Sequence, residues 1–260
     1  VIEFHPAAYG KDGMRECKAI LERAGFAKLP EHCTRQVWTC TYDAGLRPPV
    51  PDLGWSTEQN LLENAIVVPP ADTGFVQPAG VLESNGTYHG SGALWRNGRA
   101  LTAKPPHPAG DVPLRKGTWL WGGVLWAHFG HFLVESTSRL WALDTLDEKI
   151  DGILFIPKRP KTGDQVHDFQ KDFIALMGTD VPVVSVTAAE RVERLIVPGQ
   201  GFGLGSMITG TDPFRRAIAG RFGKDITADG PQKLYISRTG LPTGRGNLIG
   251  ETELEANLAA

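Results

Sequence analysis

Cysteine is scarce in this sequence, and the little there is forms no framework. Cys17, Cys33 and Cys40 are odd in number, too widely spaced for a C-x-x-C clamp and unaccompanied by a clustered pair of histidines, so they read as ordinary reduced cysteines. Long apolar runs are missing as well: none approaches the roughly 20 residues that span a bilayer. The opening residues, VIEFHPAAYG, have neither the basic start nor the long apolar core of a signal peptide. These absences lead to the expectation of a soluble, cytoplasmic chain with no transmembrane segment, leaving at most a peripheral association with a membrane. An excess of positive charge is also lacking, since 27 Lys and Arg stand against 29 Asp and Glu for a formal net charge of −2. Without a basic face to neutralise phosphates, nucleic acid is not an expected partner. No repeat recurs at a fixed period and no tract is of low complexity. An initiator Met is absent and the last residues, ETELEANLAA, fall inside a helical pattern; the expectation is a piece of a longer protein.

What is present is an ordinary globular composition, 41% hydrophobic and 22% charged over 260 residues, enough for one large or two modest domains. Residues 1–43 read as strand VIEFH, helix GMRECKAILERAGF ended by Gly25, and a β-rich RQVWTCTY. A unit this small cannot bury enough apolar surface to stand alone, so it is expected to end a preceding α/β domain. Residues 44–56, rich in Pro and Gly, read as a linker. Then come the short strands NAIVVPP and GFVQPAGVLES, the turn-rich SNGTYHGSG and the stretch KGTWLWGGVL. From there the pattern alternates: helix 126–146, strand GILFIP, helix VHDFQKDFIALMG ended by Gly178, strands VPVVSV and ERLIVPG, a glycine-rich loop, helix DPFRRAIAGRFG and strand KLYISR. Apolar strands between amphipathic helices predict an α/β fold with a mainly parallel sheet covered on both faces.

Three stretches could carry chemistry. In WAHFGHFLVESTSRLWAL, residues 126–143, offsets of three and four place His128, His131 and Glu135 about 60° short of and about 40° beyond a full helical turn, on one stripe. Glu135 could steady the cation that His131 becomes on accepting a proton, which is what a general base needs. The same spacing also describes a solvated i,i+4 pair contributing a few tenths of a kcal/mol, and residue types alone leave these readings balanced. The apolar Phe129, Phe132, Leu133, Leu140 and Trp141 around the stripe favour a cleft beside the sheet. A metal held by His128, His131 and Glu135 is the alternative; the stretch lacks the H-E-x-x-H spacing, and no further His or acidic cluster completes a site. In PGQGFGLGSM, Gly201, Gly203 and Gly205 alternate after a strand and could admit a phosphate or sugar to the backbone, although the order is not G-x-G-x-x-G opening a helix; a flexible strand-to-helix loop fits equally. In KLYISRTGLPTGRGNLIGETELEANL, a strand ends at Ser237-Arg238, a loop carries Arg245, and Glu251 opens a helix. Two arginines at the carboxyl end of a strand could clamp a diphosphate; a solvated basic loop, with Glu251 favourable to the helix dipole, is the plain reading.

Taken together and in this order, HFGHFLVESTSRLWAL and LYISRTGLPTGRGNLIGETELEANL resemble the two signature regions of glycosyltransferase family 61, across about residues 57–260. The family shows a His-Phe-x-x-Glu/Asp helix followed by Arg-Leu, then Tyr-Ile-Ser-Arg, an Arg-bearing loop and Asn-Glu before a helix. Here Gly250 stands in the place of the Asn, RGN follows in place of a basic pair, and His128 is an addition. The resemblance implies a GT-B-like architecture of two Rossmann-like domains, with a first domain at 57–230 and only the start of a nucleotide-sugar-binding domain at 231–260. It implies inverting transfer of a sugar from a nucleotide-sugar donor to a saccharide or other hydroxyl acceptor, in capsular or surface polysaccharide synthesis. His131 and Glu135 would be the base and its partner, and Arg238 and Arg245 would hold the donor diphosphate with neither metal nor cofactor. Glu251 and His128 would support the site. With the donor side truncated, the chain is expected to be inactive alone. Residues 1–43 are similar to the end of an FkbM-type S-adenosylmethionine-dependent methyltransferase, through their Glu-x-His-Pro start and the L-x-x-A-G-F helix end. A non-catalytic carbohydrate-binding or scaffold domain, and a metal-dependent hydrolase centred on His128, His131 and Glu135, are the competing readings.

Overall fold

A computed structural model of the chain describes residues 54–96, 98–204, 210–222, 227, 229, 230, 235–241 and 250–259. Leu46–Ile226 belong to one compact unit and the described residues from 227 onward to a second; each is described by itself. The strand–helix–strand expected at 1–43 and most of the 44–56 linker lie outside the described residues. The linker's last residues do not: Trp55 is buried and bridges Gln200.

The larger unit is a mixed α/β structure. Its strands are β1 (Gln59–Val68), β2 (Gln77–Pro78), β3 (Gly80–Leu82), β4 (Trp95–Arg96), β5 (Arg99–Ala100), β6 (Thr102–Ala103), β7 (Leu114–Leu125), β8 (Gly152–Pro157), β9 (Val183–Ser185) and β10 (Glu190–Pro198). Six of them form the central sheet in the order β3-β1-β10-β7-β8-β9, while β2 pairs with β6 and β4 with β5. The sheet is mostly parallel: β10, β7, β8 and β9 run together, and β1 is antiparallel to both β10 and β3.

Helices α1 (Asp168–Leu176) and α2 (Asp212–Phe222) cover only one face. The chain steps from β7 to β8 to β9 in one direction across the sheet, and right-handed crossovers taken in one direction land on one side. Phe132, Leu140 and Ile174, from those two crossovers, therefore pack on Leu120, Ile153, Phe155 and Ile196 in a single core, which Phe214 of α2, after β10, joins. The opposite face, with Val67, Trp121, Leu154, Ile156 and Leu195, is closed by Ala79, Val81, Leu94 and Leu101 from the short-strand segment. Both faces are covered as the apolar strands predict, one of them without helices.

A β-bulge in β7 aims the chain at the site. The register against β8 slips between Trp121 and Gly123. Trp119, Trp121 and Val124 consequently share one core while Leu120 and Leu125 join the other, the change of side that an extra residue imposes. Both glycines are needed there. A Cβ on Gly122 would sit 2.3 Å from the Phe155 ring, and Gly123, at φ +93°, lies where a Cβ would come within 3.2 Å of Arg139.

The helix expected over 126–146 is corrected to a broken one. It opens with a single α-turn at Phe129–His131, widens to a π-turn at Phe132–Ser136 and closes as a 3₁₀ turn at Leu140–Asp144. The bond from Thr137 N–H to Phe132 O, 3.2 Å, spans five residues. The run Ser136-Thr137-Ser138 accounts for the break: Thr137 to Leu133 O (2.7 Å) and Ser138 to Glu135 O (2.7 Å) compete with the helical ladder, while Ser136 to Val124 O (2.8 Å) ties the turn to the end of β7.

In the second unit, α3 spans Glu251–Ala259. The strand expected to end at Arg238 is not seen among the described residues, Tyr235–Arg238 being irregular.

Candidate functional site

The carboxyl ends of parallel strands are where open α/β sheets bind ligands, and a pocket of about 360 Å³ opens there. It is lined by Leu125, Trp126, Ala127, His128 and His131 after β7, and by Lys158, Arg159, Lys161 and Thr162 after β8.

The broken helix sets the two central residues at different depths. Glu135, inside the π-turn, has a side chain with no exposure, whereas His131 keeps 30% of its own. His131 Nδ1 lies 3.1 Å from Glu135 Oε2. Arg96, on β4, forks onto the same carboxylate, Nε donating to Oε1 (2.7 Å) and Nη2 to Oε2 (2.8 Å), with Nη2 also 3.4 Å from His131 Nδ1. A carboxylate only accepts, so a hydrogen bond from His131 to Glu135 requires the imidazole proton on Nδ1, with the Nε2 lone pair then available. The His131 ring stacks on Trp126, with centroids 4.3 Å apart at 19°.

Neighbours fix each of these groups. Gln200, fully buried, accepts from Trp95 N–H (2.9 Å) and donates to Trp95 O (3.0 Å), holding the strand that carries Arg96. Ser136 Oγ accepts from Trp126 N–H (3.0 Å), and Gln170 of α1 donates to Trp126 O (2.8 Å). Lys158 is 8% exposed and donates to Phe75 O (3.0 Å) and Gln77 Oε1 (2.8 Å). Burial first, and then the charge of Arg96, hold its pKa below the ordinary lysine value.

His128 is corrected from a helical stripe position to the residue that precedes the first turn, with extended backbone. It is exposed, its ring 5.3 Å from that of His131 and edge-on. Among the described residues no three His, Cys, Asp or Glu side chains are grouped to hold a metal, and Glu135 is already engaged by Arg96.

The glycine-rich PGQGFGLGSM is a place of close packing where it is described. A Cβ on Gly199 would strike Ser56, one on Gly201 would strike Trp141, and one on Gly203 would strike Trp55. Residues 205–209 lie outside the described set.

In the second unit, Glu251 is buried and its Oε1 accepts from Tyr235 O–H (2.8 Å) and Arg238 N–H (2.9 Å). Glu255 accepts from Thr239 Oγ1 (3.0 Å), so two of the three carboxylates of α3, Glu251 and Glu255, tie down the segment that carries Arg238. Gly250 has φ +80°, a conformation that Gly and Asn enter with least strain. Arg245 lies outside the described residues.

Arg96, Trp126, Lys158 and Arg139 are the residues that sequence reasoning missed. Lys158 and Arg159 follow an apolar strand directly, which was a usable signal. Arg139 sits in the apolar RLWAL, and a cation there announces a buried partner set: its guanidinium donates to Ser91 O (2.9 Å), Ala93 O (2.6 Å) and Pro198 O. Burial lowers its pKa to about 9, with the Tyr88 hydroxyl acting the other way; three carbonyls accept from it, and it stays charged at neutral pH. Arg96 meets Glu135 across 39 positions, and no local pattern announces it.

The chain matches no family model, no curated protein and no solved structure. No helix among the described residues is long and apolar enough to cross a membrane.

Proposed function

We propose that this chain serves inverting transfer of a sugar from a nucleotide-sugar donor to an acceptor hydroxyl, the activity that the resemblance to glycosyltransferase family 61 implies. One observation carries the reading: His131, facing a pocket at the strand ends, has its Nδ1 on a buried carboxylate that Arg96 holds through both oxygens. In this mechanism His131 Nε2 takes the proton from the acceptor hydroxyl as its oxygen attacks the anomeric carbon. The bond to the donor diphosphate breaks on the opposite face, and Glu135 steadies the imidazolium. Arg238 and Arg245 are assigned to the departing diphosphate. The GT-B architecture and a cytoplasmic place in capsular or surface polysaccharide synthesis belong to the same proposal.

The test is sugar transfer by the protein expressed from its complete reading frame, with a panel of nucleotide-sugar donors. His131→Ala is expected to lower transfer by about 10²–10⁴-fold, the range of general-base contributions, with the unfolding midpoint unchanged. Undiminished transfer sinks the base assignment. Sugar binding without transfer in the unmodified protein would favour a carbohydrate-binding domain instead.

A further inference from the structure

The part of the pocket lining that follows β8 is rich in donors. Lys158, Arg159 and Lys161 line the pocket with His128 and Thr162, and no carboxylate is among the lining residues. Arg159 and Lys161 are exposed, and neither has an ion-pair partner among the described residues. Lys158 is nine-tenths buried yet among the described residues bonds only Phe75 O and Gln77 Oε1, so one of its three N–H donors has no acceptor among them. Next to it, the Trp126 indole N–H is buried without a partner. Buried donors left over at the mouth of a cationic pocket call for a ligand rich in acceptor oxygens.

Resting on the reading of His131 as the base, we propose that the acceptor is an acidic saccharide whose carboxylate or phosphate lies against Lys158, Arg159 and Lys161. The base must touch the acceptor hydroxyl, so the group that shares this pocket with His131 is the acceptor's own and not the donor's. The Arg96–Glu135 pair is internally neutral, and none of Lys158, Arg159 and Lys161 makes an ion pair among the described residues. The pocket's volume, about 360 Å³, is at the small end of the range for ligand sites and suits one sugar ring with its anionic substituent.

The experiment measures binding to the 260-residue chain by calorimetry, with glucuronate and glucose 6-phosphate as anionic probes, methyl glucoside as the neutral one and uridine diphosphate as the donor probe. At least one anionic sugar is expected to bind about tenfold or more tightly than methyl glucoside, glucuronate preference pointing to a carboxylate and glucose 6-phosphate preference to a phosphate. The Arg159→Gln/Lys161→Gln double variant, both residues being exposed, is expected to keep its unfolding midpoint and lose that advantage, while His131→Ala retains it. Equal binding of neutral and anionic sugars overturns the proposal. So does an advantage that survives the double variant, and so does uridine diphosphate binding that depends on the same two side chains, which would place the donor here. The two readings fail separately. Charge-dependent sugar binding without transfer by any donor removes the sugar-transfer reading alone, whereas His131-dependent transfer to neutral acceptors removes the acidic acceptor alone.

Discussion

Arg96 and Arg139 are both withdrawn from water in the same unit, and their partners differ in kind. Arg139 is fully buried and donates to three backbone carbonyls, joining the Ser91–Ala93 turn to the end of β10. Arg96 keeps 17% of its side chain exposed and spans a single carboxylate with two parallel bonds beside the open pocket. A cation that satisfies carbonyls closes a core. A cation that holds a carboxylate, which in turn meets an imidazole, fixes a side chain that lines an open pocket. Burial alone would have pointed to Arg139; the kind of partner points to Arg96 as the arginine tied, through Glu135, to the pocket-lining His131.

Substitution separates the two arginines. Arg139→Met leaves three buried acceptors without a donor, and a loss on the order of 4 kcal/mol in urea unfolding is expected; Arg139→Lys should recover little, since an ammonium cannot fork. A loss below about 1 kcal/mol would deny Arg139 its structural role. Arg96→Ala strands a buried carboxylate; discounted for the exposure of Arg96, the expected loss is about 2–3 kcal/mol. Adding Glu135→Gln to Arg96→Ala should return part of it, and a double-mutant cycle reads the coupling. Next is a pH effect at Lys158. Its pKa is lowered by burial, Arg96 and Arg159 against the opposing Glu135 and Asp72, so the protonated form costs the fold stability below the folded pKa. Stability rises as pH climbs through that value toward the ordinary 10.5. Binding of glucuronate or glucose 6-phosphate falls about tenfold over the same interval as the ammonium is lost. Lys158→Met should flatten both curves in a pH titration of unfolding and of binding. The smallest effect belongs to Ser91→Ala. Ser91 Oγ lies 2.7 Å from His89 Nε2, and His89 Nδ1 3.1 Å from Glu83 Oε1, a serine–histidine–carboxylate chain that ties a turn together. About 0.5–1.5 kcal/mol of stability should go, with sugar transfer unchanged; lost transfer would mean that this second chain does chemistry too.

The α/β class and the mostly parallel sheet were legible because the strands GILFIP and ERLIVPG are apolar through much of their length and separated by the amphipathic α1. Glycine 178 was legible as a stop, and it has φ +80° after α1. The pairing of His131 with Glu135 was legible from their spacing, but the π-turn that buries one and exposes the other was not, since Ser136-Thr137-Ser138 act through bonds to carbonyls that periodicity does not register. His128 was misplaced for the same reason: a stripe argument presumes a continuous helix. Arg96 was out of reach because the short strand that carries it is positioned by Gln200, more than a hundred residues later.

The central claim is that Glu135, held by Arg96, fixes the proton of His131 on Nδ1 and leaves Nε2 free to accept one. Nitrogen-15 chemical shifts of the His131 ring in the 260-residue chain measure this directly at a pH where the ring is neutral. The Nδ1–H tautomer is expected, giving way to a mixture in Glu135→Gln; an Nε2–H tautomer in the unmodified chain would contradict the account.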